Sequence, residues 1–169
     1  MTSSFDEEIP AAPTTHRGRD WPCLRQFGIF LENRVGLLHD LLRQLERHDL
    51  RIVALSVQDS IDYAVARLVV NQYERARELI SLADFPFFET DVIAVELPDA
   101  DQPHVRICGS LMKAELNINY TYPLLYRRNG RGGIALFVDD IDEGIRVLQE
   151  DGLKIITEHD LTEDDEFFG

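Results

Sequence analysis

The sequence predicts an α+β fold built twice, as two βαββαβ units whose antiparallel sheets each carry both helices on one face. Two observations lead there. The apolar pattern alternates between a period of two and a period near 3.6, in the order strand, helix, strand, strand, helix, strand. The same pattern then returns about 66 residues later with its apolar positions in step. A hydrophobic fraction of 44% is enough to bury a core in each small unit.

Residues 1–22 are rich in Pro, Ser, Thr and charge and show no period, so they read as a flexible N-terminal tail ending near Trp21. From 24 to 32, Phe27, Ile29 and Leu31 alternate with smaller or polar residues as in a strand. Asn33 to Gly36 break that run. Leu37, Leu38, Leu41, Leu42 and Leu45 then form a helical stripe, with His39, Arg43, Glu46 and Arg47 facing away. Alternation resumes over 50–58, a turn falls at Asp59–Asp62, and the β-branched run 63–70 forms the third strand. Tyr73, Ala76, Leu79, Ile80 and Ala83 mark a second helix, and 87–97 a last strand. Each stripe is wide enough to cover one sheet face, which makes the arrangement ferredoxin-like.

At an offset of 66, Leu41 falls on Ile107, Leu45 on Leu111, Leu50 on Leu116 and Ile52 on Ile118, without a gap. Past the middle hairpin the offset becomes 68, placing Leu68 on Leu136, Val70 on Val138 and Ile80 on Leu148. The extra residues sit in the turn at 127–133. Apolar positions coincide and polar ones have drifted, as expected of a duplicated fold. The first unit is assigned to 23–92, the second to 93–159, and an acidic tail to 160–169. With so short a link the two sheets are expected to pack against each other.

A net charge of −14 repels phosphate backbones, so neither nucleic acid nor an anionic membrane is an expected partner. No stretch approaches the ~18 consecutive apolar residues of a spanning helix, and the N-terminus lacks a secretory pattern. With only Cys23 and Cys108, a cytoplasmic location is expected. No structural zinc site is expected, and Cys108 is expected to be a small core residue of a helix. No cofactor is expected. His16, His39, His48, His104 and His159 show no ligand spacing, and no Ser/His/Asp set has a recognisable setting. The glycine-rich run 128–133 joins two strands, whereas a phosphate loop would lead into a helix. Asp139, Asp140, Asp142 and Glu143 suit a helix N-terminus.

The run FGIFLENRVGLLHDLLRQLERHDLRIVALSVQDS resembles the opening of an ACT domain, and the stretch from about 24 to 158 resembles a small bacterial family made of two ACT domains. Asn117 to Tyr122 and VDDIDEGIRVLQEDGLKII (138–156) match that family in the second copy. The resemblance implies a non-catalytic regulatory protein that binds a free amino acid where domains pair. It also implies an amino-acid biosynthetic enzyme as the regulated partner; a homodimer is expected because symmetric dimers are the commonest assemblies and open sheet edges favour cover.

Such a ligand brings a carboxylate, an ammonium and a side chain. The first turn of the helix after Gly36 offers unpaired N–H groups and the positive end of its dipole to the carboxylate. Gly36 lets the ligand approach the backbone, and the Asn33 side chain can accept from the ammonium. Arg34 lies in the same loop, and Val35 and Leu37 would floor a side-chain pocket, which Leu55, Ser56 and Val57 of the neighbouring strand would close across the pairing interface. By the residues alone, Asn33 and Gly36 read equally well as plain turn residues; the resemblance selects the ligand site. In the second copy Asp99 stands at the place of Asn33, but Gln102 replaces Gly36 and Pro103 removes a donor. There the polar candidates are Asn117, Asn119 and Tyr120, which read equally as sheet surface and aromatic packing. Two alternatives stand beside this reading. GGIALFVDDIDEGIRVLQEDGLKII also resembles a βαβ stretch of glyoxalase-type metal enzymes, although strands 63–70 and 134–138 carry neither His nor Glu. The other is a ligand-free interaction scaffold using the acidic end, a run that otherwise reads as solvated tail.

Overall fold

The computed structural model describes residues 21–32, 34–125 and 130–163. Most of the expected N-terminal tail, Asn33, part of the glycine-rich turn and residues 164–169 lie outside the described residues. The elements are β1 (Leu24–Glu32), α1 (Leu37–Arg47), β2 (Ile52–Asp59), β3 (Tyr63–Val70), α2 (Tyr73–Leu82), β4 (Phe87–Glu96), α3 (Pro103–Lys113), β5 (Ile118–Pro123), β6 (Gly133–Val138), α4 (Ile141–Glu150), β7 (Ile155–Ile156) and α5 (Glu158–Glu163). This is βαββαβ passed through twice, with β4 used in both passes.

The copies agree in backbone detail as well as in element order. α1 and α3 lie 66 residues apart at both ends, and α2 and α4 lie 68 apart. β2 and β5 each carry an irregularity at the same place, between Ile52 and Ala54 and between Ile118 and Tyr120. After α1 and α3 the chain passes through a left-handed residue, Asp49 (φ 57°) and Glu115 (φ 58°). There Leu50 and Leu116 return their N–H groups to the carbonyls of Leu45 and Leu111 at 3.0 Å. Those bonds satisfy carbonyls that a helix end leaves over, which offsets a left-handed conformation costing about 1 kcal/mol.

The strands run β2-β3-β1-β4-β6-β5, all neighbours antiparallel. β4 pairs with β1 from Phe87 to Val92 and with β6 from Ile93 to Glu96. Ala94 faces Ala135 of β6 and Ile156 of β7, so β7 takes up the edge of β4 that β1 leaves. The sheet curls until its ends meet: the Leu125 N–H, just past β5, donates to the Val53 carbonyl of β2 at 2.6 Å.

Three cores follow. Helices α1 and α2 cover Phe27, Ile29 and Leu68 with Leu41, Leu45 and Ile80. Helices α3 and α4 cover Ile93, Val95 and Leu136 with Ile107, Leu111 and Leu148. Between the sheets lies the third, formed by Leu24, Val69, Val92, Ala94, Tyr122 and Ala135, among others. Its central polar residue, Gln26, is bonded at both amide atoms, whereas Arg67 Nε is buried with no hydrogen-bond partner among the described residues. The wholly buried Gln26 donates to Thr90 Oγ1 at 2.8 Å and to the Tyr120 hydroxyl, and the Tyr122 hydroxyl donates to Gln26 Oε1. The Arg67 guanidinium lies 4.1 Å from the Tyr120 ring centre.

One tail assignment changes. Residues 160–163 were expected in the acidic tail, yet they complete α5, and Leu161 is buried in the inter-sheet core. Arg25 anchors this helix, pairing with Glu158 at 2.6 Å and Glu74 at 2.9 Å, with its guanidinium 3.8 Å from the Tyr73 ring centre. The acidic composition hid a single apolar residue with a partner surface far away in sequence. Among the described residues, no helix is long and apolar enough to cross a membrane.

Burial, and then the neighbouring Tyr120, push the Tyr122 hydroxyl well above the usual tyrosine range. The folded state therefore holds this proton more tightly than the unfolded chain does. Its contribution is complete below the ordinary tyrosine pKa of 10.0 and is lost as pH rises above it. Tyr122→Phe leaves the Gln26 oxygen short of a partner, so urea unfolding at pH 7 should show a loss of about 1–3 kcal/mol. The variant's stability should also fall less steeply above pH 10.0 than the wild type's.

Candidate functional site

The β1–α1 loop turns tightly. Arg34 N–H donates to the Glu32 carbonyl at 2.7 Å, and Gly36 at φ 88° leads into α1. Among the described residues no side chain caps α1, whereas the Asp140 carboxylate caps α4 by accepting from the Glu143 N–H. Beside this loop is a cavity of about 460 Å³. Its walls come from the end of β1 (Phe30, Leu31, Glu32), the loop and start of α1 (Arg34, Leu37), the start of β3 (Tyr63) and the α2–β4 turn (Ala83 to Pro86). Antiparallel pairing sets Glu32 opposite Tyr63, and the Phe30 N–H donates to the Pro86 carbonyl at 2.9 Å. At the rim Arg34 Nε and Glu32 Oε2 pair at 3.1 Å, both well exposed. Such a pair contributes little to stability and separates readily for other charged partners.

A second cavity of about 220 Å³ lies at the β4–α3 loop. Glu96, Asp99, Arg106, Arg131 and Lys154 give it a charged lining. Arg131 is 3.7 Å from Asp99, Lys154 is 3.6 Å from Glu96, and Arg106 donates to the Asp151 carbonyl at 3.1 Å.

The sequence-predicted residues are spread over the two cavities and the surfaces and seam around them. Arg34 and Leu37 line the first cavity, while Val35 and Gly36 are exposed beside it. Asn33 lies outside the described residues. Asp99 lines the second cavity. Leu55 packs partly buried on the α1–α2 core and Ser56 pairs with Arg67 along the sheet, so neither lines the first cavity. Asn117 and Asn119 are exposed and bonded to each other at 3.1 Å. Tyr120 belongs to the inter-sheet seam, stacked on Phe137 with ring centres 5.1 Å apart. Loop-centred reading missed Phe30, Tyr63, Phe85 and Pro86. Strand pairing brings Tyr63 to the loop and the α2–β4 turn brings the other pair, so the available signal was register rather than proximity in sequence.

A family model described as an ACT domain pair matches residues 23–164. The chain belongs to the ACT domain pair family. A crystal structure of a protein from Bacteroides thetaiotaomicron is similar to this ACT pair over 84% of the chain and 97% of its own, with 23% identity and a TM-score of 0.76. The ligand-free regulatory subunit of aspartate kinase from Thermus thermophilus aligns over 77% of the chain and 93% of its own, at 10% identity and a TM-score of 0.53. The corresponding subunit from Thermus flavus aligns over the same shares, at 12% identity and a TM-score of 0.50. At these identities the likeness is one of fold. No curated protein matches the chain.

The ACT pair places Cys108 differently from the expectation of a core residue: it is exposed. α3 buries Ile107, Ser110 and Leu111, and Cys108 falls beside that stripe. Among the described residues no group of three or more His, Cys, Asp or Glu is arranged to hold a metal ion.

Gly36 has open space where a Cβ would stand, so its positive φ alone demands glycine. Gly109 in α3 has equally open space and no positive φ. Gly36→Ala should therefore lower stability by about 1 kcal/mol, and Gly109→Ala should raise it by about 0.5–1 kcal/mol. Paired urea titrations check both signs.

Proposed function

We propose that this ACT pair is a non-catalytic regulatory module that binds a free amino acid at the first unit's β1–α1 loop and signals through pairing. The observation that carries this reading is the 460 Å³ cavity at that loop, whose wall contains Arg34 and Leu37. The rim pair Glu32–Arg34 is complementary to a zwitterion: Arg34 and the uncapped start of α1 suit the carboxylate, and Glu32 suits the ammonium. The two units divide between residues 92 and 93, where β4 changes partners. In this reading Asp99, Asn117, Asn119 and Tyr120 belong to the second unit's surface and to the joint between units. Leu55 and Ser56 serve pairing rather than ligand contact. β2 ends the strand order and, past the Val53 carbonyl that Leu125 takes up, carries the exposed Val57, which gives a second copy an edge to pair with in a homodimer. The regulated partner is an amino-acid metabolic enzyme in the cytoplasm, in keeping with the aspartate kinase regulatory subunits that share the fold. The ligand acts by binding two pairing geometries with different affinity.

Thermal-shift measurements against the twenty amino acids at millimolar concentration test this. A ligand at a hundred times its Kd stabilises the native state by about 2.7 kcal/mol, which a melting curve resolves. One amino acid, or one chemical group of them, should raise Tm, and Arg34→Glu should abolish the rise. Silence from all twenty, or an undiminished rise in Arg34→Glu, defeats the reading.

A further inference from the structure

The two cavities occupy one position of the repeat. The offsets that align the units place Phe30 on Glu96, Tyr63 on Arg131 and Pro86 on Lys154, all of them cavity residues. Duplication kept the place and changed its chemistry.

The second unit is thus an internal control for the first. Its residues at these positions are charged, and its helices and sheet form in the same way, so the fold does not require aromatic residues there. Yet in the first unit Phe30 and Tyr63 stand 37% and 43% exposed at an open cavity, in a chain of net charge −14. Exposed aromatic surface around a concavity is unfavourable in water and marks binding sites. The Phe30 and Tyr63 rings meet edge to face with centres 5.6 Å apart and Phe88 packs on Phe30 at 5.4 Å, while the exposed remainder of the two rings can take a further aromatic group in the same packing. Phe85 and Pro86 add apolar lining to the same cavity, Phe85 resting partly on the α1–α2 core. Charge complements this shape. Glu32 and Asp84 disfavour an acidic ligand side chain, and Arg34 is the one cation among the described lining residues.

We propose that the first unit's cavity selects an amino acid with a large apolar, chiefly aromatic, side chain, and that the second has lost this selectivity, so that each chain binds one such ligand. The proposal rests on the amino-acid-binding reading above and names its ligand class. The zwitterion engages Glu32 and Arg34 at the rim, and the ring lies among Phe30, Tyr63 and Phe85.

Isothermal titration of the full chain with L-phenylalanine, L-leucine, L-aspartate and L-lysine is the test. L-phenylalanine should bind most tightly, at one per chain. Phe30→Glu and Tyr63→Arg, which import the second unit's residues at exposed positions, should each weaken it at least about tenfold. Circular dichroism should show both variants folded. A readout that needs no variant is the nuclear Overhauser contact between ligand ring protons and the Tyr63 and Phe85 rings of the wild type. Preference for aspartate or lysine, two phenylalanines per chain, missing ring contacts, or unweakened binding in the folded variants would overturn the ligand class while amino-acid binding stands. Silence from all twenty amino acids in the thermal-shift measurements would overturn both.

Discussion

Everything in this architecture hangs on β4 serving two sheets. One ten-residue strand, Phe87–Glu96, closes the first unit with its N-terminal half and opens the second with its C-terminal half. No linker separates the units, so their relative placement is a property of strand pairing rather than of a flexible tether. The strand is therefore covered on both faces where the roles change. Val92 and Ala94 enter the core between the sheets, Ile93 and Val95 enter the core under α3 and α4, and all four are fully buried. A charged residue anywhere in that run would lose its water without gaining a partner.

That shared strand brings the two sheets face to face and so creates a polar seam. Gln26 of β1, Thr90 of β4 and the two tyrosines of β5 satisfy one another between the sheets. A buried network of this kind tolerates little displacement, because a stretched bond leaves a desolvated group unpaired. The bond from Leu125 to Val53 adds a backbone clasp where the curled sheet closes on itself. β1 carries Gln26 near one end and the cavity residues Phe30, Leu31 and Glu32 at the other. The first unit's cavity and the joint between the units are thus built on a single strand.

Much of the fold was legible in the sequence because helix and strand periods are local. The stripe Leu37 to Leu45 and the alternation Phe27 to Leu31 each follow from one face meeting a core. The duplication was legible because core positions resist drift, and its offsets of 66 and 68 recur in helix bounds and strand irregularities. Less of the candidate site was legible. Arg34 and Leu37 were found because they sit in the loop that starts a helix, whereas Tyr63, Phe85 and Pro86 arrive there by pairing and turn geometry. Cys108 and Leu161 show the same limit: a helix position one step off the stripe is exposed, and an apolar residue in an acidic run is buried.

By itself the sequence determined the α+β class, the order of elements and the doubling of the unit, since each depends on patterns a few residues long or on their repetition. Tertiary structure alone decided that the boundary stretch is one unbroken strand that changes partners along its length, that the packed sheets curl until their ends meet, and that one repeated position is an aromatic cavity in the first unit and a charged one in the second. Those features depend on which residues meet across strands and turns tens of positions apart, and hydrophobic periodicity specifies a buried face without specifying its partner.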